Sequence, residues 1–183
     1  MSLFDRSSKK ASPARIVALV GIMAATIECA KLALMFLPNI EVVTILSALY
    51  GYVFGIYGVI ATIVFVCIEP LIYGFGTWVV SYFLYWPLVA IVFMIFAKLR
   101  IKNRFVFAFS AIILTAWFGV LSSLIDIGLL SGFFDNFWQR FAIYYVRGIP
   151  FYIAQLACNA VLFLFLFKFL LAKLERIKSI FIK

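Results

Sequence analysis

Long apolar runs separated by short polar breaks make up almost the whole sequence, and this feature constrains the fold more than any other. Of the 183 residues, 67% are hydrophobic, and the mean hydropathy is +1.19. A membrane-spanning helix needs about 20 mostly apolar residues to cross a hydrocarbon core of roughly 30 Å, and several such runs follow one another here. The sequence therefore predicts an all-α integral membrane protein rather than a soluble domain.

The breaks between the runs predict six transmembrane helices. Their approximate bounds are 15–37, 41–56, 58–74, 78–97, 105–130 and 149–172. Together they form one six-helix membrane domain over 15–174, between an N-terminal tail at 1–14 and a basic C-terminal tail at 175–183. At 131–148, aromatic residues alternate with polar ones, which predicts a short amphipathic element at the interface or over a cavity.

The basic residues indicate how the chain is oriented. Most of the 16 lysines and arginines lie in three clusters beside apolar runs, at 6–15, 98–104 and 168–183. Short loops that carry lysine and arginine stay in the cytoplasm, so both tails are expected to be cytoplasmic. The net charge of +9 therefore reflects topology, and no nucleic-acid partner is expected.

The sequence lacks the usual signatures of catalysis and metal binding. Histidine is absent, and Cys29, Cys67 and Cys158 each fall inside a predicted span without metal or redox spacing. We therefore predict no catalytic residue and no metal ligand. No GxxxxGK[ST] phosphate-binding loop occurs, so work driven by ATP would need another subunit.

Polar and aromatic side chains gather around the turns on the predicted outer side. An ionised carboxylate is costly in hydrocarbon, so acids at the ends of spans favour a wet cavity, a paired site or the interface. Rings give a flat solute apolar contact while a few hydrogen bonds orient it, which predicts a substrate-binding cavity. A simple aromatic belt at the membrane interface is the alternative for the rings. The candidate binding residues are Asn39, Glu41, Glu69, Tyr73, Trp78, Tyr82, Tyr85, Trp86, Asp135, Arg140, Tyr144 and Arg147.

Small residues recur at spacings of four in the first predicted helix. Gly21 with Ala25, and Ala14 with Ala18, place small side chains on one helix face. Such a face lets another helix approach closely where apolar contact alone cannot drive association. This face is the predicted docking surface for a second membrane protein.

Two pairs of polar residues fall inside predicted spans. Glu28 and Lys31, three apart, are expected to neutralise each other, and their role stays open between a structural pair and a pair beneath a ligand. Gln155 and Asn159, four apart, share a helix face that is predicted to point inward.

These features resemble the substrate-binding S-components of energy-coupling factor (ECF) vitamin transporters over nearly the whole chain. The runs LPNIEVVTIL, YGYVFG, IEPLIYGFGTWVVSY and YWPL look most similar to the cobalamin-specific type. Members of the family carry an AxxxA motif in the first helix, which docks on a transmembrane coupling subunit. The matching stretch here is GIMAATIE, where Gly21 takes the place of the first alanine and Ala25 that of the second.

The resemblance implies an S-component-like bundle and a function in transport. The chain would capture a vitamin, with cobalamin the first expectation, outside a prokaryotic cell membrane and reorient bodily to release it inside. Its partners would be the coupling subunit and two ATPase subunits, which use ATP and magnesium. This chain would then hold no cofactor of its own and would not be an enzyme.

Two other functions stay open on the residues alone. A membrane enzyme acting on lipid or isoprenoid head groups would use Glu69, Asp126 or Asp135, although these acids do not stand in pairs at a fixed helical spacing. A structural membrane subunit without a ligand would use the outer rings only as an interface belt.

Overall fold

A computed structural model describes residues 12–181, with side chains described through residue 178. Every regular element in this range is helical, which confirms the predicted all-α class for this part of the chain. Most of the predicted tail at 1–14 and the last two residues lie outside the described residues. The elements are α1 (Pro13–Ala33), α2 (Val43–Phe54), α3 (Ile56–Tyr73), α4 (Thr77–Lys98), α5 (Arg104–Ser131), α6 (Phe137–Val161), a π-helical turn (Leu162–Leu166) and α7 (Phe167–Phe181).

Five of these helices are long and apolar enough to cross a membrane. They are α1, α3, α4, α5 and the continuous helix formed by α6, the π-helical turn and α7. The remaining predicted span, 41–56, corresponds to α2, which has only 12 residues and is therefore about 18 Å long. The architecture suits a helical membrane protein, while six crossings and cytoplasmic termini stay predictions.

The short helix α2 lies at the centre of the bundle. Eleven of its 12 residues are buried, and it packs mainly against α4, α3 and α7. Gly51 permits this packing, because a Cβ there would overlap the backbone carbonyl of Ala90 in α4. Gly55 alone joins α2 to α3 with a φ of +60°, which glycine adopts at little cost. These two glycines thus account for the close packing of α2 and for its short return into α3.

The two ends of the bundle are filled differently. We call the end with the turn at 99–103 the basic end. Four fully buried phenylalanine rings pack together there, with contacting ring centroids 4.8–5.8 Å apart: Phe93, Phe107, Phe163 and Phe167. The opposite end, with the turns at 34–42 and 74–76, is called the cavity end because its aromatic and polar side chains enclose open space. The rings at the basic end thus pack against one another, whereas those at the cavity end border an internal space.

The last long helix starts about 12 residues earlier than the predicted start near residue 149. The helix α6 begins at Phe137, so residues 137–148 are its first turns and not a separate interfacial element. Gly148 and Pro150 indicate a break in sequence, but the helix continues through both because a proline interrupts only one backbone hydrogen bond and long apolar helices tolerate it. At the other end α7 continues to Phe181, so the predicted tail at 175–183 begins within a helix.

The end of α1 also differs from its predicted bound. The helix stops at Ala33 rather than near residue 37, and turns carry the chain to Asn39, whose φ is +62°. This places an irregular segment of nine residues, 34–42, over the cavity end.

Candidate functional site

An internal cavity lies at the cavity end, where α1 to α6 meet. Its volume is about 90 Å³, and an outer vestibule of about 300 Å³ adjoins it below the 34–42 segment. Lys31, Glu41, Val43 and Gln155 line both spaces, so they mark the passage between them. The remaining cavity residues are Thr44, Phe65, Tyr82, Tyr85, Trp86, Thr115 and Phe118.

Aromatic rings from two helices form one wall of the cavity. Tyr82, Tyr85 and Trp86 share a face of α4 because residues three and four apart align on a helix. The Tyr85 ring lies 4.6 Å from the centroids of both Trp86 and Phe118 of α5. Trp78 extends the row toward the start of α4, 5.1 Å from the Tyr82 ring. The wall therefore offers ring faces and edges over four positions.

Glu41 joins three helices at the opposite wall. Its Oε2 accepts a hydrogen bond of 2.9 Å from the Thr44 amide, and its Oε1 accepts one of 2.6 Å from the Thr44 hydroxyl. The same Oε1 accepts from Nδ2 of Asn159 at 2.7 Å, and that amide also donates to Thr115 at 3.0 Å. Glu41 thus satisfies a free amide in the first turn of α2 and connects it to α5 and α6. Each of these donors is uncharged.

Lys31 belongs to a second polar group beside the cavity. Its ammonium donates to the carboxylate of Glu69 in α3 and lies 4.3 Å from the centroid of the Tyr73 ring. The Tyr73 hydroxyl donates to Oε1 of Glu28 at 3.5 Å. The predicted pairing of Lys31 with Glu28 is therefore wrong, because α3 packs on that face of α1 and brings in Glu69, whose side chain is only 1% exposed. A carboxylate buried so deeply needs the counter-charge more.

Three polar atoms of the cavity residues are buried without a hydrogen-bond partner. They are the Tyr85 hydroxyl, the Trp86 indole N–H and Oε1 of Gln155. Both rings are at least nine-tenths buried, and buried polar groups in folded proteins are nearly always paired. The amide of Gln155 also lies 3.4 Å from Asn39 at the vestibule. The residues that line the cavity therefore include three with an unpaired polar atom.

Eight predicted binding residues thus gather in or directly beside the two spaces. They are Asn39, Glu41, Glu69, Tyr73, Trp78, Tyr82, Tyr85 and Trp86. Their contact with a ligand stays a prediction. The inward orientation predicted for Asn159 is confirmed, since its side chain is fully buried.

The other four predicted binding residues lie away from the cavity. Arg140 donates to the carbonyls of Ser131 and Gly132 at the end of α5, where orphan carbonyls need donors, and Tyr144 donates to Asp126 at 2.9 Å. Asp135 lies in the exposed turn before α6, and Arg147 is exposed on α6. Arg140, Tyr144 and Arg147 lie apart because α6 starts earlier than predicted and carries them along its own first turns, and Asp135 lies in the turn before that helix.

The predicted docking residues Gly21, Ala25, Ala14 and Ala18 are all exposed on α1. A Cβ built on Gly21 meets no atom within 4 Å. The small-residue face is therefore not used for packing within the described chain.

Sequence reasoning missed several cavity residues. Thr44 carried a usable signal, because it is a polar residue three positions after Glu41 at the start of an apolar run. Thr115 is an isolated polar residue in an apolar run, which also marks a buried face. Nothing in the local pattern distinguishes Phe65 and Phe118 from the many other phenylalanines.

Among residues 12–178, no group of three histidine, cysteine, aspartate or glutamate side chains has an arrangement that could hold a metal ion. No protein family, curated protein or solved structure matches the chain.

Proposed function

We propose that this chain is the substrate-binding subunit of an ECF-type importer, which captures a vitamin at the outer face of a prokaryotic cell membrane. The observation that carries the proposal is the cavity at one end of an apolar helical bundle. It combines an aromatic wall, an anchored carboxylate and three unpaired hydrogen-bonding groups, which is the composition of a small-molecule site. The family resemblance of the sequence supports the same function.

The volume of the site limits the size of the ligand that it can hold. Small-molecule sites typically occupy about 300–1,000 Å³, and the cavity and vestibule have volumes of about 90 and 300 Å³. A vitamin of one or two rings suits these spaces. Cobalamin, the expectation from the resemblance, is far larger and would require the 34–42 segment to move outward. The volumes therefore favour a smaller vitamin.

The proposed transport step is reorientation of the whole subunit. Several connections are very short, with Gly55 alone between α2 and α3 and residues 74–76 between α3 and α4. Short connections limit the polar backbone that a tilting bundle would carry through hydrocarbon. The exposed small-residue face of α1 would dock on the coupling subunit, and two ATPase subunits would drive the cycle with ATP and magnesium.

The proposal is tested by purifying the tagged chain from its native host and measuring vitamin uptake by cells. We expect a transmembrane coupling subunit and two ATPase subunits to co-purify. Gly21→Trp and Ala25→Trp should abolish uptake but leave ligand binding by the isolated chain intact, because they enlarge only the docking face. Ile113→Trp, at an exposed position of α5, is the control and should transport normally. Absence of ATPase partners together with unchanged uptake in both α1 variants would contradict the proposal.

A further inference from the structure

We infer that the ligand of this cavity is an organic cation whose positively charged nitrogen group meets the carboxylate of Glu41. The inference rests on the proposed binding function and adds the chemical class of the substrate. It follows from the charges around the cavity, from the unpaired polar groups and from the rings.

The carboxyl group of Glu41 lies at the passage between cavity and vestibule, and no lysine or arginine among the described side chains forms a salt bridge with it. Its hydrogen-bond donors are the amide and hydroxyl of Thr44 and the amide of Asn159. These donors are all uncharged groups, so none of them supplies a counter-charge to the carboxyl group. Glu41 is partly buried, and a ligand that brings a positive group to this carboxyl group would complement it.

The neighbouring lysine does not pair with this carboxyl group. Lys31 lines the same passage, but its ammonium group forms an ion pair with Glu69. The ammonium group also lies over the ring of Tyr73, whose hydroxyl donates a hydrogen bond to Glu28. Of the three carboxyl groups near this passage, that of Glu41 lines both spaces, whereas those of Glu69 and Glu28 lie behind the lining residues Lys31 and Tyr73. One ammonium group, that of Lys31, accompanies them. An anionic ligand would meet an excess of acids, whereas a cationic one would balance it.

The aromatic wall suits a cation as well as a flat ring. Tyr82, Tyr85 and Trp86 line the cavity that Glu41 closes, and the face of a tyrosine or tryptophan ring attracts a positive charge within about 6 Å. The Lys31 ammonium already uses two rings in this way, at 4.3 Å from Tyr73 and 5.6 Å from Tyr82. The rings deeper in the cavity have no such partner among the described cation–ring contacts.

The unpaired groups add a second requirement. The hydroxyl of Tyr85 and the N–H of Trp86 are buried donors without acceptors, so the ligand should carry at least one hydrogen-bond acceptor beside its cationic group. The substrate class is therefore a small organic cation with a polar acceptor, one or two rings in size.

The test is a fluorescence titration of the purified full-length chain in mild detergent, which follows the tryptophans. The cationic probes are choline and thiamine; the uncharged probes are the tert-butyl analogue of choline and nicotinamide, and pantothenate is the anionic probe. We expect saturable binding of a cationic probe and none of its uncharged analogue. Glu41→Gln should weaken cation binding at least about 30-fold, as expected when one member of a desolvated charge pair is removed. Glu175→Gln, the same change at an exposed site on α7, should have no effect.

Two results would overturn the inference while leaving the proposed function in place. One is binding of the uncharged or anionic probes in preference to both cations, and the other is cation binding that Glu41→Gln does not change. If no probe of any charge binds, the inference fails, while the proposed function is decided separately by co-purification of the partner subunits and by vitamin uptake. Should Glu41→Gln not fold, the comparison of choline with its uncharged analogue on the unaltered chain decides the question.

Discussion

Lys31 of α1 and Glu69 of α3, 38 positions apart, form an ion pair beside the cavity. The Lys31 side chain is 27% exposed and lines both the cavity and the vestibule, whereas that of Glu69 is 1% exposed. The pair therefore fixes α1 against α3 at the place where the cavity opens. Because Lys31 pairs with Glu69 rather than with Glu28, packing between helices, and not proximity in sequence, decides which acid neutralises the lysine.

Removal of the lysine should destabilise the bundle strongly. We expect Lys31→Gln to lower the free energy of unfolding by on the order of 2–3 kcal/mol, because the buried Glu69 carboxylate loses its counter-charge. The double variant Lys31→Gln with Glu69→Gln should recover most of this loss, since no unpaired charge is left. Thermal unfolding in detergent measures both, with the exposed Lys98→Gln as control. Equal loss in the single and double variants would show that the pair itself is not the cause.

Close packing of α2 against α4 makes a single methyl group costly. Gly51→Ala would place a Cβ against the Ala90 backbone, and we expect a loss of about 1–3 kcal/mol from the overpacking. Gly21→Ala is the matched control, because a Cβ there meets nothing within 4 Å and alanine favours a helix. Thermal midpoints of the two variants should differ clearly. Tolerance of Gly51→Ala would mean that the two helices are farther apart than described.

Replacement of Tyr85 by phenylalanine should affect ligand affinity but not the stability of the empty chain. Its hydroxyl is buried without a partner, so Tyr85→Phe should leave the stability of the empty chain unchanged or slightly higher. The same change should weaken ligand binding, because the hydroxyl is free to bind the ligand. The control is Tyr152→Phe, whose hydroxyl is paired with Ser123 at 2.9 Å; it should cost about 1 kcal/mol of stability and no affinity. The opposite pattern would place Tyr85 outside the site.

The Asn159 amide should be required to hold the Glu41 carboxylate. Asn159→Leu has a similar size but removes the donor to Glu41 and the bond to Thr115, and we expect a loss of about 1–3 kcal/mol. Cys158→Ala removes only a 3.5 Å thiol contact to the Glu41 backbone and should cost less than about 1 kcal/mol. Equal unfolding curves for the two variants would contradict the bonding described at Glu41.

Topology can be tested with single cysteines in a chain whose three natural cysteines are replaced by serine. Phe75→Cys lies in the turn at the cavity end and Lys102→Cys in the turn at the basic end. If the cavity end faces outward as predicted, an impermeant thiol reagent should label residue 75 in intact cells and residue 102 only after permeabilisation. Labelling of residue 102 in intact cells would invert the orientation and place the cavity inside.

The sequence predicted the helices well because each one follows from a long apolar run bounded by glycine, proline or basic residues. The single large error, the start of α6, arose where Gly148 and Pro150 imitate a helix boundary. Whether a proline ends a helix depends on the neighbours that surround it, and one sequence does not contain that information.

The residues of the candidate site could be predicted only in part, because some of them depend on which helices become neighbours. Glu41, Glu69 and Tyr85 stand out as polar or ring-bearing residues near span ends, so composition and position alone were enough to make them predicted binding residues. Phe118 and the pairing of Lys31 with Glu69 depend on which helices become neighbours. Arg140 and Tyr144 carry the same local signal as the cavity residues, but they lie on turns of α6 that bond to the end of α5.

The most direct test of the account is whether the cavity holds a small molecule when the chain is purified from its native host. Native mass spectrometry in mild detergent should show one vitamin-sized molecule per chain, released on denaturation. Val43→Phe, which places a ring between cavity and vestibule, should abolish this occupancy, and Val80→Phe on the exposed face of α4 should retain it. A folded chain that carries no small molecule and binds no vitamin saturably would contradict the account.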